Sequence, residues 1–365
     1  MPQHYDVIIA GGGVIGASIA WRLARDQRRV LLLDATKIGS EASSAAAGML
    51  APGGEFDQPS PLLDLATRSL ANYPDFVSAL QADSGLLIEF RHTGAVQIAL
   101  ARAEFESLSK RAASQRAAGI PSVPLTRNEL RALVPLVRSD AMGAIHYTSE
   151  ATVDPASLMR ALRAACLARG VSIEEDARVT SIAADSAAVR VSVSDQSLDA
   201  AFAIIAAGAW SSDMNVTIDS QPYSLPRAFP MKGHLLGYRL PIGSLATAVR
   251  HDHTYVFQRA NGFTIAGSST EDAGYDRTID TKIASEIAKR AAELVPALAS
   301  LKPESVWIGF RPATAAAVPH IGRVQSSRLW LAYGHYRNGI LLAPATCDQV
   351  CQEIVAARQL DFVKT

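Results

Sequence analysis

The sequence predicts an α/β domain of Rossmann-like type interleaved with an α+β domain built on an antiparallel sheet. Three observations predict it. The chain opens on a strand, a glycine-rich turn, a helix and a second strand in immediate succession. A buried strand ending in a glycine turn, Ala201 to Trp210, returns to that kind of sheet after a long excursion. Between Pro226 and Gly309 the pattern changes to several short strands and one helix, which marks an α+β layer. Segments 1–85, 145–222 and 305–365 are assigned to the first domain, and 86–144 and 223–304 to the second.

The elements follow in order. Residues 5–10 are apolar and β-rich, and Gly11-x-Gly13-x-x-Gly16 comes at once. Ala17 to Ala24 carries apolar residues at helical spacing, and Val30 to Leu33 is a second apolar run ending at Asp34. Pro52 to Pro61 is a loop, and Leu62 to Gln81 a helix in which Pro74 marks a kink or boundary. Strands flank Gly94 between Ile88 and Leu100, and a charged helix from Arg102 to Ala118 ends at Gly119. Thr126 with Glu129 forms a capping box for a short helix. Asp154 caps, and Pro155 begins, a helix running to about Arg169. Strands are expected over 171–173, 178–183, 188–193 and 198–206 in the first domain. After Pro226 they are expected over 234–238, 254–258, 263–267 and 305–310, with a helix over 282–294 between the last two.

Composition narrows the function classes. A chain of 365 residues that is 48% hydrophobic is globular, with room for two domains. Its net charge of zero leaves no footprint for nucleic acid. Three cysteines are too few for a disulfide framework, which fits a reducing cytoplasm. Cys347 and Cys351, at i, i+4 on a helix, read as interior packing, and no metal site is expected. The apolar stretch Val7 to Trp21 falls short of the ~18–20 residues that span a bilayer and lacks signal-peptide flanks, so no membrane partner is expected.

The opening segment carries chemistry. Gly11 permits the tight turn, Gly13 lets a pyrophosphate approach the backbone at the positive end of the helix, and Gly16 lets helix and strand pack closely. Val14 and Ile15 begin that helix, and Asp34 is spaced to accept hydrogen bonds from ribose hydroxyls. The fingerprint serves NAD and FAD alike. The stretch Gly39 to Pro52, small and polar and then Gly48-Met49-Leu50, lets a bulky ring pass close to the backbone and favours a flavin, although a plain surface loop has the same composition.

Taken together, GGGVIGASIAWRLA, SSAAAGMLAP, the Val153-Asp154-Pro155 helix start, AAGAW, GFRPATAAAVPHIG and GHYRNGILLAPAT resemble the D-amino-acid-oxidase superfamily over essentially the whole chain, and within it the glycine oxidase branch of thiazole (thiamine) synthesis. The resemblance implies a Rossmann-like FAD-binding domain interleaved with an antiparallel-sheet substrate domain. It implies non-covalent FAD, because Pro312-Ala313-Thr314 offers no cysteine for a flavin link. Ser43, Ser44, Ala47, Gly48, Met49, Val179, Gly208, His335, Asn338, Gly339, Ile340 and Leu341 join the fingerprint as cofactor-binding positions. The amides of Gly339 to Leu342, at a helix start, would face flavin N1 and C2=O. His335 is not needed as a base, since hydride transfer from a neutral amine requires none on Cα. Cys347 stands where the family has glycine, which bears on helix packing there.

By the same resemblance Arg311 is the substrate-carboxylate clamp, Tyr255 a second carboxylate contact and Arg337 an orienting group near the ring. The residue types alone also allow a structural ion pair for either arginine and strand packing for the tyrosine. Met231 and residues 267–270 are candidates for the pocket wall. The implied reaction is oxidative deamination of glycine or another small amine or D-amino acid, with O2 reduced to hydrogen peroxide. Electron transfer to a quinone is the alternative, and a flavin-binding protein without turnover is a third. The family often forms homo-oligomers.

Overall fold

The computed structural model describes residues 4–58 and 60–362. Among them a ten-stranded sheet holds the strand Tyr5–Ala10, which lies parallel to Val30–Leu33 on one side and to Gln196–Ile205 on the other. The strand Leu329–Tyr333 joins in parallel to Gln196–Ile205. The helices Val14–Arg25, Pro155–Ala168 and Gly339–Phe362 pack together, and their apolar faces share one core with Val7, Ile9, Leu32 and Trp330. Val14–Arg25 is apolar and buried nearly all round, which suits a helix packed between sheet and neighbouring helices, while Arg22 and Arg25 complement the negative end.

The second layer is an eight-stranded sheet in the order Ser305–Thr314, Ala228–Arg239, Phe263–Gly267, Thr254–Gln258, Ala248–His251, Ala95–Ala99, Gly143–Tyr147, Ser122–Thr126. The helix Thr281–Leu294 packs on it. The sheet is antiparallel except where Ala248–His251 meets Ala95–Ala99 in parallel. That seam is where the two chain excursions meet, so no hairpin dictates direction there.

Several expectations change. The runs 234–238 and 305–310 belong to longer strands, Ala228–Arg239 and Ser305–Thr314, paired from Ala228–Thr314 to Gly237–Ser305. Pro230 and Pro312 stand directly opposite each other in that ladder. Ser305–Thr314 and Gly143–Tyr147 are hydrogen-bonded into the second sheet, although residues 305–314 and 145–147 were grouped with the first domain. Pro74 ends nothing, since the helix Pro61–Ser84 continues through it. The stretch 39–52 is not an open loop. Ala42–Ala45 is a helical turn, and Met49–Leu50 pairs with Ala151–Val153 in a three-stranded sheet. Both predicted caps form: Thr126 and Glu129 make the reciprocal box, and Asp154 accepts from the Ser157 amide at 2.8 Å.

Candidate active site

A cavity of about 500 Å³ runs between the two sheets, from the glycine turn to Arg311. At its first end Gly11 has φ +109°, and a Cβ there would lie 2.4 Å from the Ala206 carbonyl oxygen, so only glycine fits. Gly12, which the fingerprint leaves unspecified, is less constrained: a Cβ would sit 2.1 Å from Ile38 Cδ1, the movable end of a side chain. Its amide donates to Asp34 Oδ2 at 2.7 Å, while Thr36 donates through N and Oγ1 to Asp34 Oδ1 at 2.8 and 3.0 Å. The carboxylate is thus held in place on the cavity wall. Gly13 is the N-cap of its helix and brings no capping side chain, which leaves the helix's positive end open to an anion. Ser43 Oγ accepts from the Val14 amide at 2.9 Å and ties the 39–48 segment to that turn.

Gly13, Val14, Ile15, Asp34, Ser43, Ala47, Gly48, Met49, Val179, Gly208, His335, Asn338, Gly339 and Ile340 all line the cavity with Gly11. Three assigned positions do not. Gly16 packs instead, since a Cβ there would lie 1.9 Å from the Gly11 carbonyl oxygen. Ser44 faces a second cavity of about 200 Å³ beside Arg259 and Trp307. Each residue of a helical turn rotates by about 100°, so Ser43 and Ser44 cannot both face inward. Leu341 is turned into the core for the same reason. Thr36, Lys37, Glu41, Glu55, Arg178, Trp210 and Arg277 line the wall without having been assigned. Apart from Trp210, which closes the AAGAW segment, they sit outside the quoted motifs, and the tertiary arrangement brings them there.

At the other end Arg311 is half-buried. Nη1 donates to the carbonyls of Ser269 (3.0 Å) and Lys232 (3.4 Å), and Nη2 to Ser268 Oγ (3.2 Å). Among the described residues no carboxylate pairs with it. Burial, and after it Arg337, holds its pKa below the ordinary value, while Tyr255 acts in the other direction. An arginine keeps its charge nonetheless, so this end of the cavity favours an anion. Gly233 makes the room: a Cβ there would lie 2.2 Å from Arg311 Nη1. Tyr255 is buried on the same wall, and burial raises its pKa and keeps a neutral hydroxyl available to donate. Of the proposed pocket wall, Ser268 is present and Met231 is not.

Arg337 pairs with Glu55 (Nη2–Oε1 3.3 Å), and both side chains line the cavity. It follows Tyr336, whose φ of +50° is left-handed backbone in a non-glycine residue. Strain of this kind gathers at functional sites. The helix Gly339–Phe362 then begins with Gly339 and Ile340 on the cavity wall.

His335 is buried and shares a 3.0 Å hydrogen bond with Thr346 Oγ1. Burial pulls its pKa down to about 3, so the ring is neutral and is no base for substrate. The sign of the linkage follows. The unfolded chain binds this proton near pH 6.5 and the folded chain only near pH 3, so stability falls as pH drops from 6.5 toward 3. The loss attributable to this one ring at pH 5 is roughly 2 kcal/mol. Thermal midpoints of the His335→Gln variant are therefore expected to fall less between pH 7.5 and pH 5 than those of the wild type. Parallel curves would refute the assignment.

None of the three cysteines lines the cavity. All are buried, and Cys166, Cys347 and Cys351 contact the carbonyls of Ala17, Ser18 and Ile19. Cys347 thereby packs against the first helix without disrupting it.

The residues present fit FAD. The backbone cradle excludes a Cβ at Gly11, the helix end is open, Asp34 is oriented, and the wall continues past Gly48 to a second helix start at Gly339. Comparison with known proteins agrees. The family model described as FAD dependent oxidoreductase matches residues 6–353. The chain is 31% identical to the glycine oxidase of Bacillus licheniformis, covering 97% of this chain and 94% of that one. It is 32% identical to the glycine oxidase of Pseudomonas putida, over 94% and 92% of the two chains. The crystal structure of glycine oxidase from Geobacillus kaustophilus superposes with a TM-score of 0.89 at 30% identity, over 97% and 95%.

Proposed function

Because the chain belongs to the DAO family of FAD-dependent oxidoreductases, we propose that it oxidises glycine or a similarly small amino acid and delivers the electrons to dioxygen, giving hydrogen peroxide. The observation that carries this reading is Arg311, a half-buried cation with no carboxylate partner among the described residues, facing the cavity beside a buried tyrosine hydroxyl. The planar fork of Arg311 binds the substrate carboxylate in two parallel hydrogen bonds, and the Tyr255 hydroxyl adds a third. Together they set the Cα–H bond toward the cavity centre. FAD, when bound, supplies the two-electron acceptor for that bond. Arg337, tethered to Glu55, orients the substrate from the cavity wall, and the amides at Gly339 and Ile340, at the positive end of a helix, would stabilise negative charge on the reduced ring.

A pocket that excludes one methyl group by binding alone discriminates only ~10–200-fold, so sarcosine, D-alanine and D-proline are expected as slower substrates. The test is peroxide production by the purified yellow protein with glycine, sarcosine, D-alanine, D-proline and L-amino acids, with anaerobic flavin bleaching followed in parallel. Peroxide with glycine leading supports the reading. Bleaching without peroxide would transfer the assignment to a quinone-linked dehydrogenase. Absence of both would leave a flavin-binding protein without turnover. The Tyr255→Phe variant is expected to raise the KM for glycine about tenfold with kcat within a few-fold, the effect of losing one hydrogen bond to a charged group.

A further inference from the structure

The segment 268–280, which supplies both Ser268 and Ser269 to Arg311, has no regular secondary structure apart from one bridge at Glu271. It is held by a buried polar cluster on the strand Ala228–Arg239. His234 is fully buried and uses both ring nitrogens on this segment. Its Nε2 accepts the Asp280 amide at 2.9 Å, which places the proton on Nδ1, and Nδ1 donates to Glu271 Oε1 at 2.7 Å. Glu271 Oε1 also accepts from Ser269 Oγ at 2.6 Å, and Ser269 Oγ accepts from the His234 amide at 2.7 Å. Successive residues on a strand point to opposite faces. Gly233 leaves space for the Arg311 guanidinium, while the next residue anchors the segment that receives it. A second tie runs in parallel: Lys232 and Glu271 exchange backbone hydrogen bonds at 3.0 and 2.9 Å, and Lys232 Nζ pairs with Asp276 at 3.1 Å.

We infer that His234, acting through Glu271 and Ser269, is a positioning residue for the carboxylate clamp. One imidazole joins the start of the segment to its end, and the Ser269 carbonyl and Ser268 hydroxyl so fixed hold both terminal nitrogens of Arg311 in one orientation. An arginine fork binds a carboxylate bidentately only when its plane is set in advance; otherwise binding must order it. The cluster therefore acts on substrate affinity, although it touches no substrate. The inference rests on the reading of Arg311 as the clamp.

The test titrates acetate into the oxidised holoenzyme and follows the flavin absorption change, with glycine kinetics alongside. His234→Leu, which removes both ring contacts, is expected to raise the acetate Kd and the glycine KM about tenfold or more, with kcat within about threefold and FAD retained. His234→Asn, which keeps a donor for Glu271, is expected to recover much of that loss, as is Glu271→Gln, which keeps an acceptor. Should His234→Leu fail to fold, Ser269→Ala decides, since it deletes only the hydroxyl that joins Glu271 to the His234 amide; a several-fold rise in acetate Kd is expected. A lowered melting temperature with unchanged acetate Kd in these variants would overturn the inference, because a purely structural cluster gives that result. Arg311→Lys separates the two levels. If it binds acetate as the wild type does, the clamp reading itself fails. If it loses binding while the His234 and Ser269 variants keep it, only the positioning role fails.

Discussion

Replacing Arg311 with methionine is expected to lower kcat/KM for glycine by roughly 10²–10⁴-fold, the consequence of removing the charged partner of a buried carboxylate, worth ~2–5 kcal/mol. The protein should still purify yellow, because Arg311 touches none of the glycine-turn residues that grip the nucleotide. Most of the loss should appear in KM and in the affinity for acetate. Part should appear in kcat, since a substrate held by Tyr255 alone spends less time with Cα–H aimed correctly. Arg311→Lys should fall between the two: it keeps a charge but loses the fork, and its shorter reach cannot satisfy Ser268, Ser269 and substrate together. Folding should suffer little, because Arg311 and Ser268 line a cavity from which water can reach the acceptors left behind. A variant with unchanged KM and unchanged acetate affinity would mean that the carboxylate binds elsewhere, and Arg337 would become the alternative.

Legibility in the sequence followed locality. The nucleotide half could be read because its determinants are backbone conformations that only glycine adopts, strung along one strand–turn–helix unit. The capping box at Thr126 and the cap at Asp154 were legible for the same reason, since each needs only three or four consecutive residues. Gly12 was not flagged, because what crowds it is the Ile38 side chain, a contact no turn pattern encodes. The inward Ser43 and outward Ser44 differ only by the phase of a helical turn, which a run of small polar residues does not reveal. The long pairing of Ala228–Arg239 with Ser305–Thr314 was legible only in part, as the runs 234–238 and 305–310. Arg311, Tyr255 and Arg337 were picked out by resemblance. What the sequence did not disclose is the space that receives Arg311, which depends on a glycine 78 positions earlier, two residues along the neighbouring strand from its direct partner Met231. Nor did it disclose that Arg337 is tethered to Glu55 from a short helix, Pro52–Glu55, near the other end of the chain.

Gly48→Ala is expected to strip the protein of its cofactor. Gly48 has φ +84°, where an alanine costs about 1–2 kcal/mol by itself. The larger effect is spatial. A Cβ at this position would lie 2.0 Å from the Val153 carbonyl oxygen, and a backbone atom cannot rotate away as a side chain can. That same carbonyl accepts from Arg259 Nη1 at 2.7 Å, while Arg259 Nη2 donates to the Ala47 carbonyl at 2.6 Å. The Gly48 carbonyl in turn accepts from the Val153 amide at 2.9 Å. One added methyl therefore strikes the joint at which a buried guanidinium binds the cavity-lining segment to the three-stranded sheet. The shift must pass to Ala47 and Met49, both on the cavity wall. We expect the purified variant to carry little flavin, measured as the ratio of absorbance at about 450 nm to that at 280 nm, and its apoprotein to bind FAD at least 100-fold more weakly, a cost of ~3 kcal/mol. Gly85→Ala is the matched control. It also forces an alanine into left-handed backbone, at φ +69°, but a Cβ there meets nothing within 4 Å, and Gly85 does not line the cavity. It should cost about 1 kcal/mol of stability and leave the flavin content unchanged. If Gly48→Ala behaves like Gly85→Ala, the 47–49 segment is not the seat of the ring and the flavin must lie against the Gly334 to Ile340 wall alone.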